Sequence, residues 1–298
     1  MTSVRFGTAG WSYADWKGVV YPKNATAEFD ALRYLAAYVD VLEINSSFYR
    51  PPDPRHATRW ASAVDGLDDF RFTAKLYQGF THRDEWSEDD VRAFKDGVRP
   101  LVDAGRLSAV LAQFPFFFDA KREHLERLGR IIDTFDDVPL VVELRHRSLL
   151  APRILERLSA RGVSFCNVDQ PRSSTSIDVG ARVTGPIGYL RLHGRNSDAW
   201  FSKAAGRDEK YDYLYSPDEL DTFVPLIRDL VERTDDTVVI GNNHFLGKAP
   251  ANALELKAAF EGVAVEVPPA LVRTYPRLRA IAVEETEETE ESGGPESS

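Results

Sequence analysis

The segment Pro139–Ser148, PLVVELRHRS, carries Glu143 and Arg145 two residues apart in a run that otherwise reads as a β-strand. Alternation puts Leu140, Val142 and Leu144 on one face and Val141, Glu143 and Arg145 on the other. The same pattern recurs along the chain. Glu43 and Asn45 alternate with Leu42 and Ile44, and Thr73 and Lys75 with Phe72, Ala74 and Leu76. Gln113 lies between Ala112 and Phe114. Asn167 and Asp169 alternate with Cys166 and Val168, Arg191 and His193 with Leu190 and Leu192, and Asn242 follows Val238 and Ile240. In each run the polar residues come late. If helices cover the apolar faces, the polar faces converge at one end of a shared interior.

Such a set offers two kinds of chemistry. Glu43 and Glu143, with His193 and Asp169, are the candidate proton-transfer groups, because carboxylates in unlike surroundings can have their pKa values pushed apart. Lys75, Arg145, Arg191 and Arg195 are suited to an anion, the arginine forks to phosphate or carboxylate in particular. Asn45, Gln113, His146, Asn242 and Asn243 add neutral polar contacts, and Trp11 and Tyr49 add ring faces for a sugar or base. The competing structural reading pairs Glu143 with Arg145, Glu43 with Lys75, and Asp169 with Arg191. It lets His146 cap the following helix and Asn242, Asn243 and Asn252 hold the last turn. The glycosidase reading of the two glutamates, which lie on different strands, is weakly signalled. Cys166 falls on the apolar face, as a buried residue rather than a nucleophile.

These residues need elements to position them. Strands are expected at Val4–Gly10, Val41–Asn45, Arg71–Leu76, Leu107–Phe114, Leu140–Arg145, Ser164–Asp169, Ile187–His193 and Thr237–Asn243. Helices are expected at Glu28–Val39, Arg55–Ala63, Glu88–Ala104 (capped by Ser87), Lys121–Phe135, Arg153–Ala160, Pro217–Arg233 and Ala249–Phe260. Only Gln170–Pro186, after the sixth strand, lacks a helical pattern. Strand–helix alternation of this kind predicts an α/β single (β/α)8 barrel, with an irregular segment replacing the helix after strand 6. Gly7-Thr8-Ala9-Gly10-Trp11 has neither phosphate-loop nor dinucleotide spacing, which disfavours a doubly wound sheet. Helix-to-strand connections such as Asp40 and Gly105–Arg106 are short. Strand-to-helix connections such as Trp11–Ala27, Tyr77–Ser87 and Gly194–Ser216 are long and aromatic, which marks the functional end of the barrel. Within the last of these, Asn196–Ser216 reads as a lid with Trp200, Lys203, Arg207 and Lys210.

Composition narrows the partners. The formal charge is −10, but seven glutamates fall after Val283 in EETEETEESGGPESS, and without them the body is near −3. The expected organisation is a barrel domain over 1–283 and a disordered acidic tail over 284–298. An acidic balance without a basic stripe argues against nucleic acid as a partner. The absence of a long apolar run argues against a membrane span, and MTSVRFGTAG lacks the apolar centre of a signal peptide. A lone cysteine excludes an internal disulfide. A cytoplasmic protein is the simplest expectation.

The stretches FGTAGWSYADWKG, VLEINSSFYRPP, RFTAKL, VLAQFP, VVELRHRS, VDQP, YLRLHGR and GNNHFLGKAPANA resemble the DUF72, or YecE-like, family, in order and over nearly the whole body. The resemblance implies a TIM-like barrel and assigns no reaction. One departure is Ala9 in Gly7-Thr8-Ala9-Gly10-Trp11, where the family more usually has serine. A hydroxyl at that position is therefore not essential here. The reading that follows is an enzyme (hydrolase, lyase or isomerase) using acid–base chemistry on a small phosphorylated or carboxylated molecule, without an organic cofactor. One alternative is a metal-dependent phosphodiester hydrolase or sugar isomerase, with Mg or Mn held by Glu143, Asp169 and His193. The other is a ligand-binding barrel without turnover.

Overall fold

The computed structural model describes residues 3–83 and 85–283, so the segment read as an acidic tail lies outside the described residues. The apolar runs form eight parallel strands: β1 (Ser3–Ala9), β2 (Val41–Ile44), β3 (Arg71–Lys75), β4 (Leu107–Gln113), β5 (Leu140–Glu143), β6 (Ser164–Asp169), β7 (Ile187–Leu192) and β8 (Asp236–Gly241). They pair in sequence order, and β8 closes on β1, from Ser3 opposite Asp236 to Thr8 opposite Gly241. The fold is a closed (β/α)8, TIM-like barrel.

The first helices are α1 (Ala31–Ala36), α2 (Ser46–Tyr49), α3 (Pro54–Ala63), α4 (Gln78–Thr81), α5 (Glu88–Asp103), α6 (Arg122–Thr134) and α7 (Pro152–Ala160). They are followed by α8 (Ser197–Phe201), α9 (Arg207–Lys210), α10 (Pro217–Asp221), α11 (Val224–Arg233), α12 (Lys248–Glu261) and α13 (Pro269–Thr274). Ser87 caps α5 as its sequence predicts: its Oγ accepts from the Asp90 N–H at 3.2 Å, and the Asp90 carboxylate accepts from the Ser87 N–H at 2.8 Å. The single helix expected over Pro217–Arg233 is instead two, α10 and α11. Pro225 is the reason: with no N–H it cannot continue α10 and sits well only in the first turn of a new helix.

Two apolar layers separate along each strand. Leu42, Ile44, Phe72, Ala74, Val110, Ala112 and Val142 face the helices and pack with Phe94, Leu101, Ile131 and Leu158. Val41, Ala109, Leu111, Val141, Tyr189, Val238 and Ile240 fill the barrel interior. The N-terminal end of that interior is plugged by an ion pair between Arg5 and Asp236, to which Ser3 and Ser108 also donate. The C-terminal end carries the polar residues. Among the described residues no helix is long and apolar enough to cross a membrane.

β6 departs from the predicted facing. Cys166 and Val168 belong to the interior cluster, so Asn167 and Asp169 face outward. The cause lies in the segment that follows. Between β6 and β7 the chain forms no helix, as expected, and its backbone needs partners. Asn167 accepts from the Arg182 N–H at 2.9 Å and donates to the Arg182 carbonyl at 3.0 Å. A strand covered by irregular backbone is polar on its covered face, the reverse of one covered by an apolar helix.

Candidate functional site

At the C-terminal end of the barrel, Arg191 on β7 lies between two carboxylates. Its Nη2 donates to Glu43 Oε1 on β2 at 2.6 Å and its Nη1 to Glu143 Oε2 on β5 at 2.5 Å. All three side chains are fully buried. Tyr189 supports Glu43 from below, its hydroxyl 3.1 Å from Oε2, and Gln113 Oε1 accepts from Arg191 at 3.3 Å. Arg145, just past β5, donates to Glu143 Oε1 from Nε at 2.7 Å and forms an ion pair with the same oxygen through Nη2, 2.5 Å away. Burial by itself would raise the Glu143 pKa. Arg145 and Arg191 outweigh it and hold the carboxyl well below its usual range. Burial would likewise lower the Arg191 pKa, and Glu43 and Glu143 reverse that. Such a network is costly to interrupt, because removing one partner leaves an uncompensated buried charge.

His193 completes this layer. Its Nε2 is 3.2 Å from Arg145 Nη2 and 3.5 Å from Glu143 Oε1, and its Nδ1 is 2.7 Å from Asn242 Nδ2 on the segment after β8. Burial pulls its pKa down to about 3, more than Glu143 raises it, so the ring is neutral at pH 7. Donor groups face the ring on both sides, Asn242 Nδ2 at Nδ1 and Arg145 Nη2 at Nε2, and Glu143 Oε1 is the acceptor beside Nε2. Trp200 of α8 and Tyr211 just past α9 roof the imidazole, with ring centroids 5.8 and 6.1 Å away.

Above this layer opens a cavity of about 250 Å3, lined by Gly10, Trp11, Ser12, Tyr13, Asn45, Ser46, Tyr49, Lys75, Arg207, Tyr211, Asn242 and His244. Its charged lining residues are both cations, Lys75 and Arg207. The Lys75 Nζ packs 4.3 Å from the centre of the Phe48 ring and, among the described residues, has no ion-pair or hydrogen-bond partner. Burial, then the proximity of Arg191, lowers its pKa from the ordinary 10.5 to about 8. Across the mouth, Tyr13 stacks on His244 at 4.4 Å, nearly parallel. His244 is buried, and among the described residues its Nδ1 has no hydrogen-bond partner. Burial lowers its pKa to about 4.

Of the sequence-derived residues, Trp11, Asn45, Tyr49, Lys75 and Asn242 line the cavity. Glu43, Gln113, Glu143, Arg145, Arg191 and His193 assemble beneath it. Four others go elsewhere. Asp169 and Arg195 form their own cluster on the helix side: Arg195 Nε and Nη2 donate to the Asp169 carboxylate at 2.8 and 2.9 Å. The Tyr215 hydroxyl donates to Asp169 Oδ2 at 2.6 Å and accepts from the Gly194 N–H at 2.9 Å. Arg195 also reaches Glu219 at 2.9 Å. Gly194 is needed there, at φ +89° and with the Tyr213 Cβ where its own side chain would be. His146 caps a short 3-10 turn, its Nδ1 accepting from the Ser148 N–H at 3.3 Å. Asn243, one residue past the inward Asn242, faces outward and donates to Asn252 and to the Tyr213 carbonyl, each at 2.8 Å. Glu143, Asp169 and His193 therefore do not converge as a metal-ligand set. Among the described residues no group of three or more His, Cys, Asp or Glu side chains is arranged to hold a metal ion. Tyr189 and His244 are site residues the sequence reading passed over. Tyr189 was legible, because it shares the facing of Arg191 and His193 two and four residues on.

A polar mouth on a closed parallel barrel, built at the ends of β2, β3, β5, β7 and β8, defines a TIM-like barrel protein with a candidate ligand site at its C-terminal face. The model of the family described as protein of unknown function DUF72 matches residues 5–274, and the chain belongs to that family. It is similar to the UPF0759 protein YunF of Bacillus subtilis (strain 168), at 28% identity over 268 residues, covering 85% of this chain and 93% of the relative. Among solved structures it resembles a DUF72 family protein of Thermotoga maritima MSB8, at 33% identity and TM-score 0.78, covering 87% of this chain and 99% of that one. A DUF72 family protein of Enterococcus faecalis V583 is similar too, at 26% identity and TM-score 0.78, covering 89% and 98%.

Proposed function

We propose that this protein is an enzyme that binds a small anionic molecule, a phosphate ester or carboxylate, in the cavity at the barrel mouth and acts on it by proton transfer. The observation that carries this reading is the charge of the cavity wall: two cations and no carboxylate. Beneath it, Glu43 and Glu143 are matched by Arg191 and Arg145, so Lys75 is the surplus positive charge of the site. A bound monoanion supplies the missing counter-charge. The aromatic rings of Trp11, Tyr13, Tyr49 and Tyr211 suit the body of a substrate larger than the anion itself.

Roles follow from the surroundings. Glu143, held well below the usual carboxylate range, is a poor proton donor near pH 7, so its part is to hold Arg145 and Arg191 in position. Lys75, at about 8, is the cavity group able both to give and to take a proton near neutral pH. The test is calorimetric titration with inorganic phosphate, followed by turnover assays on phosphate-ester, sugar-phosphate and carboxylate panels. Wild type is expected to bind phosphate. Lys75→Met and Arg207→Met are each expected to weaken binding tenfold or more. Binding unchanged in both variants refutes the anion reading, and binding without turnover on any panel favours a barrel that only binds its ligand.

A further inference from the structure

Lys75 differs in kind from other cations of the protein. Lys17 donates to a backbone carbonyl at 3.0 Å, Lys95 pairs with Asp137 at 2.7 Å, and Lys257 pairs with Asp40 at 2.6 Å. Lys248 pairs with Asp212. Arg145 and Arg191 are committed to Glu143 and Glu43. Lys75 projects from β3 into the cavity with the Phe48 ring beneath it and, among the described residues, no ion-pair partner. The carboxylates that would claim its proton are already held by arginines. A desolvated lysine next to another cation, open to a ligand cavity, is the arrangement that turns an amine into a nucleophile.

We propose that Lys75 is a covalent nucleophile, and that its Nζ condenses with the carbonyl carbon of a small anionic aldehyde or ketone bound in the cavity. This deepens the proposed function and rests on its anion site. The step balances without an outside reagent. The neutral Nζ lone pair forms the C–N bond while the carbonyl electrons move to oxygen. That oxygen takes up one proton, the nitrogen gives one up, and the carbinolamine then loses its hydroxyl with a second proton as water, leaving C=N. The sum is amine plus carbonyl giving imine plus water, with no change in oxidation state. A protonated imine carries the charge of the ammonium it replaces, so the balance with Glu43, Glu143, Arg145 and Arg191 is kept. Arg207, whose partner Asp208 lies 3.2 Å away on an exposed surface, is free to meet the anionic end of the substrate. The substrate class is therefore a 2-oxo acid or a phosphorylated aldehyde or ketone.

The pKa near 8 supports the step: about half of the Lys75 amine is neutral at pH 8, against well under ~1% for an ordinary lysine. The experiment uses the full-length protein with formaldehyde, acetone, glycolaldehyde, pyruvate or glycolaldehyde phosphate, each trapped by cyanoborohydride and mapped by peptide mass spectrometry. Lys75 is expected to be modified by formaldehyde at least tenfold faster than Lys23 or Lys121 at pH 7.5. One or both anionic probes are expected to label it at least tenfold faster than their neutral counterparts. Inorganic phosphate should compete, and Lys75→Arg should abolish the adduct. Labelling by pyruvate points to the carboxylate class, and labelling by glycolaldehyde phosphate to the phosphate class. Lys75 reacting no faster than surface lysines, with phosphate still bound by calorimetry, overturns the imine and leaves the proton-transfer reading intact. Neither labelling nor phosphate binding overturns both.

Discussion

Replacing Arg191 by methionine tests the assignment of the buried network. The guanidinium makes short ion pairs with Glu43 and Glu143, and all three side chains are inaccessible to solvent. In the variant Glu143 keeps Arg145, whereas Glu43 keeps, among the described residues, only the Tyr189 hydroxyl. Stranding one buried charge costs on the order of 3–5 kcal/mol. For a chain of this size that is a fall in Tm of roughly 6–10 °C. The pH dependence carries a sign. Protonation relieves an uncompensated buried carboxylate, so the cost of removing Arg191 falls as the pH is lowered. In the wild type Glu143 is held below its unfolded value, so the stability it contributes is present above that value and lost as pH falls through the folded one. The Arg191→Met deficit should therefore be largest at pH 7–8 and shrink toward pH 5. Adding Glu43→Gln should restore at least half of it. Urea unfolding followed by far-UV circular dichroism at pH 5, 6, 7 and 8 reads this directly, without the ionic strength that guanidinium would add. A deficit below about 1 kcal/mol at pH 7, or one equal at pH 5 and pH 8, would refute the reasoning.

Lys75→Met should be more stable than wild type at pH 7 by about 2–3 kcal/mol, because the native state carries a charged amine whose pKa is depressed to about 8. The native state releases that proton earlier than the unfolded chain, so wild-type stability rises between pH 8 and 10.5 and the two proteins converge there; urea unfolding at pH 7 and pH 10 measures the convergence. Tyr215→Phe removes the hydroxyl that accepts from Gly194 and donates to Asp169, and should cost about 1–3 kcal/mol with phosphate affinity unchanged, by thermal unfolding and calorimetry. Gly7→Ala would put a Cβ 1.7 Å from the Val41 carbonyl oxygen, so β1 and β2 could not keep their register; the variant should be recovered misfolded or with a Tm at least 10 °C lower.

The strand count, the barrel and the inward facing of six strands were readable because the chain alternates cleanly wherever an apolar helix covers a strand. Glu43, Lys75, Gln113, Glu143, Arg191 and His193 follow from that rule alone. It failed at β6 for a reason also present in the sequence: Gln170–Pro186 has no apolar helical stripe, so the covered face of β6 had to satisfy backbone groups instead. Asp169, and with it Arg195, was thereby assigned to the wrong side of the sheet. Which carboxylate would pair with which cation was not readable either. Facing gives the layer of a residue but not its neighbour across the barrel, so Glu43 was expected against Lys75 and is found against Arg191. That exchange is what leaves the lysine unpaired.

Cys166 is the one thiol of the chain, and it lies inside the barrel, fully buried, with its ionisation further suppressed by burial. No alkylating reagent reaches its Sγ while the staves of the barrel stay closed. Its rate of reaction with iodoacetamide is therefore an unengineered clock for spontaneous opening of the barrel, and a ligand that tightens the mouth should slow that clock in proportion to its occupancy.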